Sequence, residues 1–421
     1  VKTLNLKEKS VLVFDYGLFI CIAKRLAEDF GKVYYYVPWK CDFPTSDRDW
    51  MGRGIPGIEK IREFHKYKDK VDMLCFCDMY DGDLQQHLRN RGYKVFGAGG
   101  AEKFERNRWL FKKALVDLKL SVPKTVRVVG IDNLRKYLSS VEGVKWLKTS
   151  EFRGDFETQK HENMDSTNLW IDDLASKMIP PRQATIEILV EDAVEGVESG
   201  WDGFVSNGIY STYGTVGYEI KGDGFLCKVF KESELPAPIA LINKKTTPML
   251  KDYYGAYSTE VRVGKDGIPY YVDMSARFGS PPAELMCELY ENFSEVVWDL
   301  AHGLIPHPRP IAKYGSLIRL KSDWLMKRPT YIKYPKEIDR WVKLRDYCID
   351  EKTGKIYGIP TLAQCSTVGS VIGLSDSLES SMQLCKDRAS MIEGNEINWC
   401  KEIFAKGMAE IREGLKFGIN L

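Results

Sequence analysis

Four short apolar runs near the start of the chain, at 11–14, 33–37, 71–77 and 93–96, alternate with stretches of helical periodicity. Strands separated by helices cannot pair as tight hairpins, so this pattern commits the segment to a mostly parallel, doubly wound sheet. Glycines follow the helical stretches at Gly31 and Gly92, where a left-handed residue ends a helix. A loop holding Gly52, Gly54, Pro56 and Gly57 comes before a further helix expected from Ile58. The turn Gly97-Ala98-Gly99-Gly100 leaves the fourth strand and is expected to open one helix running to about Leu120. Doubly wound folds bind ligands at this edge, but Glu102 stands where a dinucleotide fingerprint needs its third glycine. No Gly-x-x-x-x-Gly-Lys-Ser/Thr run occurs either, which excludes a P-loop.

The pattern divides the chain into a doubly wound unit at 1–121, a small α+β unit at 122–190, a unit of glycine-punctuated strands at 191–305 and a last α+β unit at 306–421 after Pro306, Pro308 and Pro310. The fold class is α/β and α+β, multi-domain. The charges balance, with 61 Lys+Arg against 59 Asp+Glu, so no global field draws the chain to nucleic acid or an anionic membrane. The first ten residues do not read as a signal peptide and no apolar run is long enough to span a bilayer, so a cytoplasmic protein without membrane contact is expected. The ten cysteines include no Cys-x-x-Cys pair and the five histidines do not cluster, so Cys75 and Cys77 read as core thiols rather than zinc ligands.

The chemistry is concentrated around Asp266-Gly267, which lies between two alternating runs and predicts a hairpin with a two-residue turn. If Lys265 pairs with Ile268, Glu260 falls opposite Asp273 and Ser258 opposite Ser275, with Arg277 further along the same face. Opposed carboxylates cost stability unless something positive lies between them, and a divalent cation with hard oxygen ligands meets that need. The other account is a solvated hairpin face neutralised by neighbours such as Arg262. Glu191-Asp192-Ala193, at the end of a buried strand, offers backbone groups of the kind that read an adenine edge, with Glu198 placed for ribose hydroxyls; an acidic loop between strands is the simpler alternative. Arg108 and Lys148 are further candidate cations.

These residues resemble the ATP-grasp superfamily, and within it the layout of phosphoribosylamine-glycine ligase. Phe96-Gly97-Ala98 with Phe104-Glu105-Arg106-Asn107-Arg108 resembles that family's strand, glycine turn and Leu-Glu-x-x-Lys helix. Glu191-Asp-Ala-Val-Glu-Gly-Val-Glu198 is similar to its hinge, and Val272-Asp-Met-Ser-Ala-Arg277-Phe-Gly-Ser-Pro281 to its Glu-x-Asn-x-Arg-Phe-Gly-Asp-Pro strand. The tail from Thr367 is similar to its closing strand and helix. The resemblance implies ATP and Mg2+ as cofactors. Lys148 and Arg108 would contact the phosphates, Glu191, Asp192 and Ala193 the adenine, and Glu198 the ribose. Glu260, Asp273 and Ser275 would face the metal, with Arg277 at the γ-phosphate and, like Lys148, acting in catalysis.

The activity so implied joins a small-molecule or nucleotide-like carboxylate to an amine through an acyl phosphate, releasing ADP and phosphate. The sequence departs from the family at Arg108, Asp273 and Ser275, and in the lid at 150–157, which has the single glycine Gly154. The substrate loop for a phosphoribosyl group is not recognisable at 78–83. A nucleotide-binding relative without turnover is therefore the alternative. Another is a ligase for a nucleic-acid-linked substrate, suggested by 319–345, where nine Lys/Arg stand against three Asp/Glu with Trp324, Tyr331, Tyr334 and Trp341 interleaved.

Overall fold

The computed structural model describes residues 4–38, 47–150, 157–361 and 365–421. Strands β1 (Ser10–Phe14), β2 (Lys32–Tyr36), β3 (Ile58–Ile61), β4 (Met73–Phe76) and β5 (Val95–Phe96) form a parallel sheet in the order β3-β2-β1-β4-β5. The helix expected from Ile58 is a strand instead. Ile58, Ile61 and Phe64 carry a helical three-residue spacing, but Val33 pairs with Ile58 and Tyr36 with Ile61 at an edge of β2 that would otherwise be bare, and only Phe64–Tyr67 remains helical. Pairing at a sheet edge overrides a short local preference. The single helix expected after Gly97 is also two, Glu102–Arg106 and Arg108–Asp117, because Asn107 is extended and its side chain caps the second by accepting from Leu110 N at 2.9 Å.

Strands β6 (Thr125–Val129), β7 (Lys145–Thr149), β8 (Thr158–His161) and β9 (Glu187–Asp192) make an antiparallel sheet in the order β6-β9-β7-β8. Helices Ile131–Leu138 and Met164–Ser176 pack on it around a core of its own that includes Leu134, Leu147, Ile171 and Ile188. A separate core gives this unit its own mechanical identity.

The largest sheet is built from β10 (Gly196–Ser206), β11 (Ile209–Tyr210), β12 (Tyr213–Ile220), β13 (Gly224–Lys231), β14 (Tyr254–Gly264) and β15 (Pro269–Ser275). It continues past β13 into Tyr314–Lys321, Thr367–Ser375 and Val342–Leu344, so strands from both sides of the proline-rich 306–310 segment are hydrogen-bonded in one sheet. The helix expected to follow Ala283 is broken into Pro282–Leu289 and Phe293–Ala301. Asn292, between them, donates to His307 O at 3.0 Å and accepts from Arg309 N at 2.8 Å, so its side chain serves the proline-rich segment. These helices pack against Ile20–Asp29, and one continuous core joins the parallel sheet to the large one.

At the carboxyl end of β1 the fully buried Asp15 accepts from Tyr35 Oη at 2.7 Å and from the backbone amides of Gly17 and Phe19 at 3.1 and 3.0 Å. Burial pushes its carboxyl up to about 7, assisted by Asp78, against the pull of the Tyr35 hydroxyl and of the backbone at Phe19 and Tyr16. Below the unfolded value of 3.8 both states hold the proton; above it the unfolded chain ionises first, and stability falls until the folded carboxyl has ionised near 7. Asp15→Asn should therefore flatten the melting temperature between pH 4 and 7, removing a loss on the order of 3–4 kcal/mol at about 1.4 kcal/mol per unit. Parallel pH profiles of wild type and variant in thermal melts would refute this.

Candidate functional site

The hairpin brings Glu260 opposite Asp273 and Ser258 opposite Ser275, as the sequence suggests, but by a different route. Gly264 N donates to Ile268 O at 3.0 Å and Gly267 N to Gly264 O at 2.8 Å, so Lys265, Asp266 and Gly267 form a three-residue loop with Gly267 at φ 76°. That is a type I turn closed by a left-handed glycine, rather than the expected two-residue turn. It shifts the pairing by one, to Val263 with Pro269 and Val261 with Tyr271, until Val272 bulges out and restores Glu260 to Asp273. The two shifts cancel.

β10, β12 and this hairpin wall a cleft of about 190 Å³. Glu198 and Asp202 on β10 and Glu219 on β12, with Lys221 just beyond it, face the cleft together with Ser258, Glu260, Asp273, Ser275 and Arg277. Gly200 and Gly217 pair across β10 and β12 in its floor, and a Cβ on Gly200 would meet Thr259 O at 2.0 Å. The carboxylates are held by cations from other elements. Lys221 Nζ lies 3.0 Å from Glu198, 3.6 Å from Glu219 and 3.8 Å from Glu260. Arg262 donates to Glu198 at 2.8 Å. Arg108 Nη2 donates to Asp273 Oδ2 at 2.8 Å and to Glu157 Oε1 at 2.5 Å.

Arg277 is oriented from the N-terminal unit. Its Nε donates to Glu105 Oε1 at 3.0 Å and lies 3.5 Å from Asp78, while Glu105 Oε2 accepts from Ala276 N at 2.6 Å.

These neighbours spread the carboxyls widely. Burial raises Glu198, but Lys221 and Arg262 outweigh it and hold it at about 2. Glu260 is pushed up to about 7, first by its enclosed position and then by Glu198, Asp273 and Glu219, against Lys221. Its side chain lines the cleft and is 43% accessible, so solvent there tempers the upward shift. Asp202 is raised to about 7 by burial, with Glu260 and Glu219 adding to it and a hydrogen bond from Ser258 opposing.

A larger cavity of about 380 Å³ adjoins the cleft and shares Glu198, Lys221, Glu260 and Asp273 with it. Lys148, Glu191, Asp192, Arg262, Trp146 and Val194 line it. The buried Glu191 lies 3.1 Å from Lys112 Nζ and 3.2 Å from Lys148 Nζ, and Lys112 also donates to Val272 O at 2.9 Å. Burial lowers Lys112 to about 8, opposed by Glu191 and reinforced by Lys148. Ala193 N donates to Val144 O at 3.2 Å, and Asp192 pairs with Lys145 at 2.8 Å.

Thus Lys148, Glu191, Asp192 and Glu198 gather at one cavity, Glu198, Glu260, Asp273, Ser275 and Arg277 at the other, and Arg108 ties the two units together. Within the lid at 150–157, residues 151–156 lie outside the described residues. Lys112, Lys221, Glu105 and Glu157 were not anticipated. Lys112 is one helical turn from Arg108, and Gly217, Glu219 and Lys221 follow the period of β12, so both signals were present in the sequence. In the 319–345 stretch, six of the nine cations pair with carboxylates: Arg319 with Glu284, Lys321 with Asp223, Lys333 with Glu393, Arg340 and Lys343 with Glu288, and Arg345 with Asp346. Most of the positive charge of that stretch is thus paired with carboxylates, part of it at the surface.

Among the described residues no group of three or more His, Cys, Asp or Glu side chains is arranged as a metal cage, and no helix is long and apolar enough to cross a membrane. No protein-family model and no curated protein matches the sequence. Solved structures do match. The phosphoribosylamine–glycine ligase of Thermotoga maritima aligns over 93% of this chain and 98% of its own, at 16% identity and a TM-score of 0.70. A biotin carboxylase from Campylobacter jejuni, solved as a β,γ-ATP complex, covers 94% of each chain at 13% identity and a TM-score of 0.64. An L-amino acid ligase from Bacillus licheniformis covers 94% of this chain and 99% of its own at 14% identity and a TM-score of 0.58. The chain has the ATP-grasp fold.

Glu191 pairs with both Lys112 and Lys148, so Glu191→Gln should cost about 3–5 kcal/mol in urea unfolding, more than Lys112→Met. In the Gln variant Lys112 falls further below its unfolded value; the unfolded chain then binds more protons, stability rises with pH, and the deficit should be smaller at pH 9 than at pH 7. An equal loss at both pH values would contradict the buried triad.

Proposed function

We propose that the protein is an ATP-dependent carboxylate–amine ligase, acting in the cytoplasm on small-molecule substrates. It forms an amide through an acyl phosphate and releases ADP and phosphate. The carrying observation is that the cavity holding Lys148 and Glu191 adjoins the cleft holding Asp273 and Arg277, with Glu198, Lys221, Glu260 and Asp273 common to both. The three solved neighbours support it, two being named ligases and one a carboxylase solved as a β,γ-ATP complex. In this reading 1–121 is the N-terminal unit, 122–190 the lid, 191–305 the large ATP-grasp unit and 306–421 the C-terminal unit.

The nucleotide base lies against Glu191, Asp192 and Ala193 with Glu198 toward the ribose, while Lys148 and Arg108 meet the phosphates. Glu260, Asp273 and Ser275 offer two carboxylates and a hydroxyl, a donor set that suits magnesium, which takes one or two protein carboxylates and fills its shell with phosphate oxygens. When bound, the ion would neutralise charge on the phosphates. Arg277, held by Glu105 and Asp78, presents its guanidinium to the γ-phosphate. Lys148 stabilises charge on the departing ADP, and the lid excludes water from the acyl phosphate. No side-chain nucleophile is needed.

ATP should raise the melting temperature, and magnesium should raise it further; at about 100 times the dissociation constant the gain is roughly 2.7 kcal/mol. Lys148→Ala should abolish the ATP shift, and Asp273→Asn should keep it but lose the magnesium increment. The absence of a shift with any nucleotide would sink the assignment. A positive result leads to a screen of acids and amines for ADP release.

A further inference from the structure

Each of the two carboxylates opposed on the hairpin already has a cation from another element: Asp273 has Arg108 at 2.8 Å, and Glu260 has Lys221 at 3.8 Å. The second oxygen of Asp273 accepts from Met274 N at 3.0 Å, so both of its oxygens are engaged. Arg108 is buried and fixed at several points: Nη1 donates to the carbonyls of Thr149 and Glu157, both at 3.2 Å, its backbone N donates to Ser150 Oγ at 3.1 Å, and Nη2 bridges Glu157 and Asp273. A lysine, with one point of charge, could not span this set as the planar fork does.

We infer that Arg108 is an intramolecular competitor for the Asp273 carboxylate, with Lys221 acting alike at Glu260, so that a divalent cation gains the site only when nucleotide phosphates draw these side chains away. This rests on the function proposed above. A bare dication approaching Asp273 meets a guanidinium at contact distance, in a cleft where charges are poorly screened. Phosphate oxygens accept from the same guanidinium and ammonium, so their arrival frees the carboxylates for the cation. Nucleotide and cation therefore favour each other's binding, and such reciprocal couplings typically amount to about 5–150-fold. Arg108 also joins the lid at Thr149 and Glu157 to the hairpin at Asp273, so the exchange loosens one tie between these units.

The test is Mn2+ binding to the full chain without nucleotide, read from the paramagnetic resonance signal of the free ion. Arg108→Gln should bind Mn2+ at least about 5-fold tighter than wild type. Two double variants then carry the same net charge as wild type. Arg108→Gln with Glu157→Gln keeps Asp273 and should retain the gain, whereas Arg108→Gln with Asp273→Asn should lose it. If the single variant binds no tighter, or if both double variants fall back alike, the competition is refuted and only the overall charge matters. Arg108→Lys, which keeps the charge but not the fork, should show a smaller gain of the same sign and serves if the Gln variants do not fold. A wild type whose melting temperature responds to ATP alongside Arg108 variants that leave Mn2+ affinity unchanged overturns this inference alone. A wild type that fails to respond to any nucleotide overturns the function on which it rests.

Discussion

Like charges brought together in one cleft are the constraint on which the rest of this structure depends. Among the described residues, seven carboxylates line the smaller cleft and two cations share its walls, Lys221 and Arg277. Such a set would repel itself apart unless counter-charge were imported. Arg108 comes from the second helix after the glycine turn, Arg262 from β14, and Lys112 supports the neighbouring cavity from the same helix as Arg108. The site therefore exists only while the parallel sheet, the small antiparallel sheet and the hairpin are docked together. Its electrostatics belong to the assembled chain and not to any one segment.

The large sheet provides the rigidity this arrangement needs. Because Tyr314–Lys321 and Thr367–Ser375 extend it beyond β13, the C-terminal residues brace the floor of the cleft. The turn carrying Lys221 into the cleft is held from the far side, where Asp223 pairs with Lys321 and Lys406 at 3.0 Å each. The small sheet, with a core of its own, is tied to the hairpin through Arg108 and Glu157. A rigid floor facing a separately packed unit suits a reaction that must admit substrates and then exclude water.

Much of this was legible in the chain because it rests on local rules. Period-two alternation places Asp273, Ser275 and Arg277 on one strand face, and alternating strands and helices require a parallel sheet. Where local rules conflicted with long-range pairing they failed. Ile58 took the edge of β2 despite its helical spacing, and Asn107 served a cap inside what reads as one helix. The hairpin is the sharper case: the turn was one residue longer than its Asp-Gly signal implies, and the bulge at Val272 returned the pairing to the expected partners.

By itself, then, the sequence determined four of the five strands of the parallel sheet, the existence of the hairpin and the identities of the acids, since these follow from backbone preference and side-chain period over a few residues. Only the tertiary structure decided which cation meets which acid. Arg108 is 165 positions from Asp273, and Lys112 reaches Glu191 from a different unit. Partners so far apart meet through the register of several sheets at once, and no local preference in the chain encodes that register.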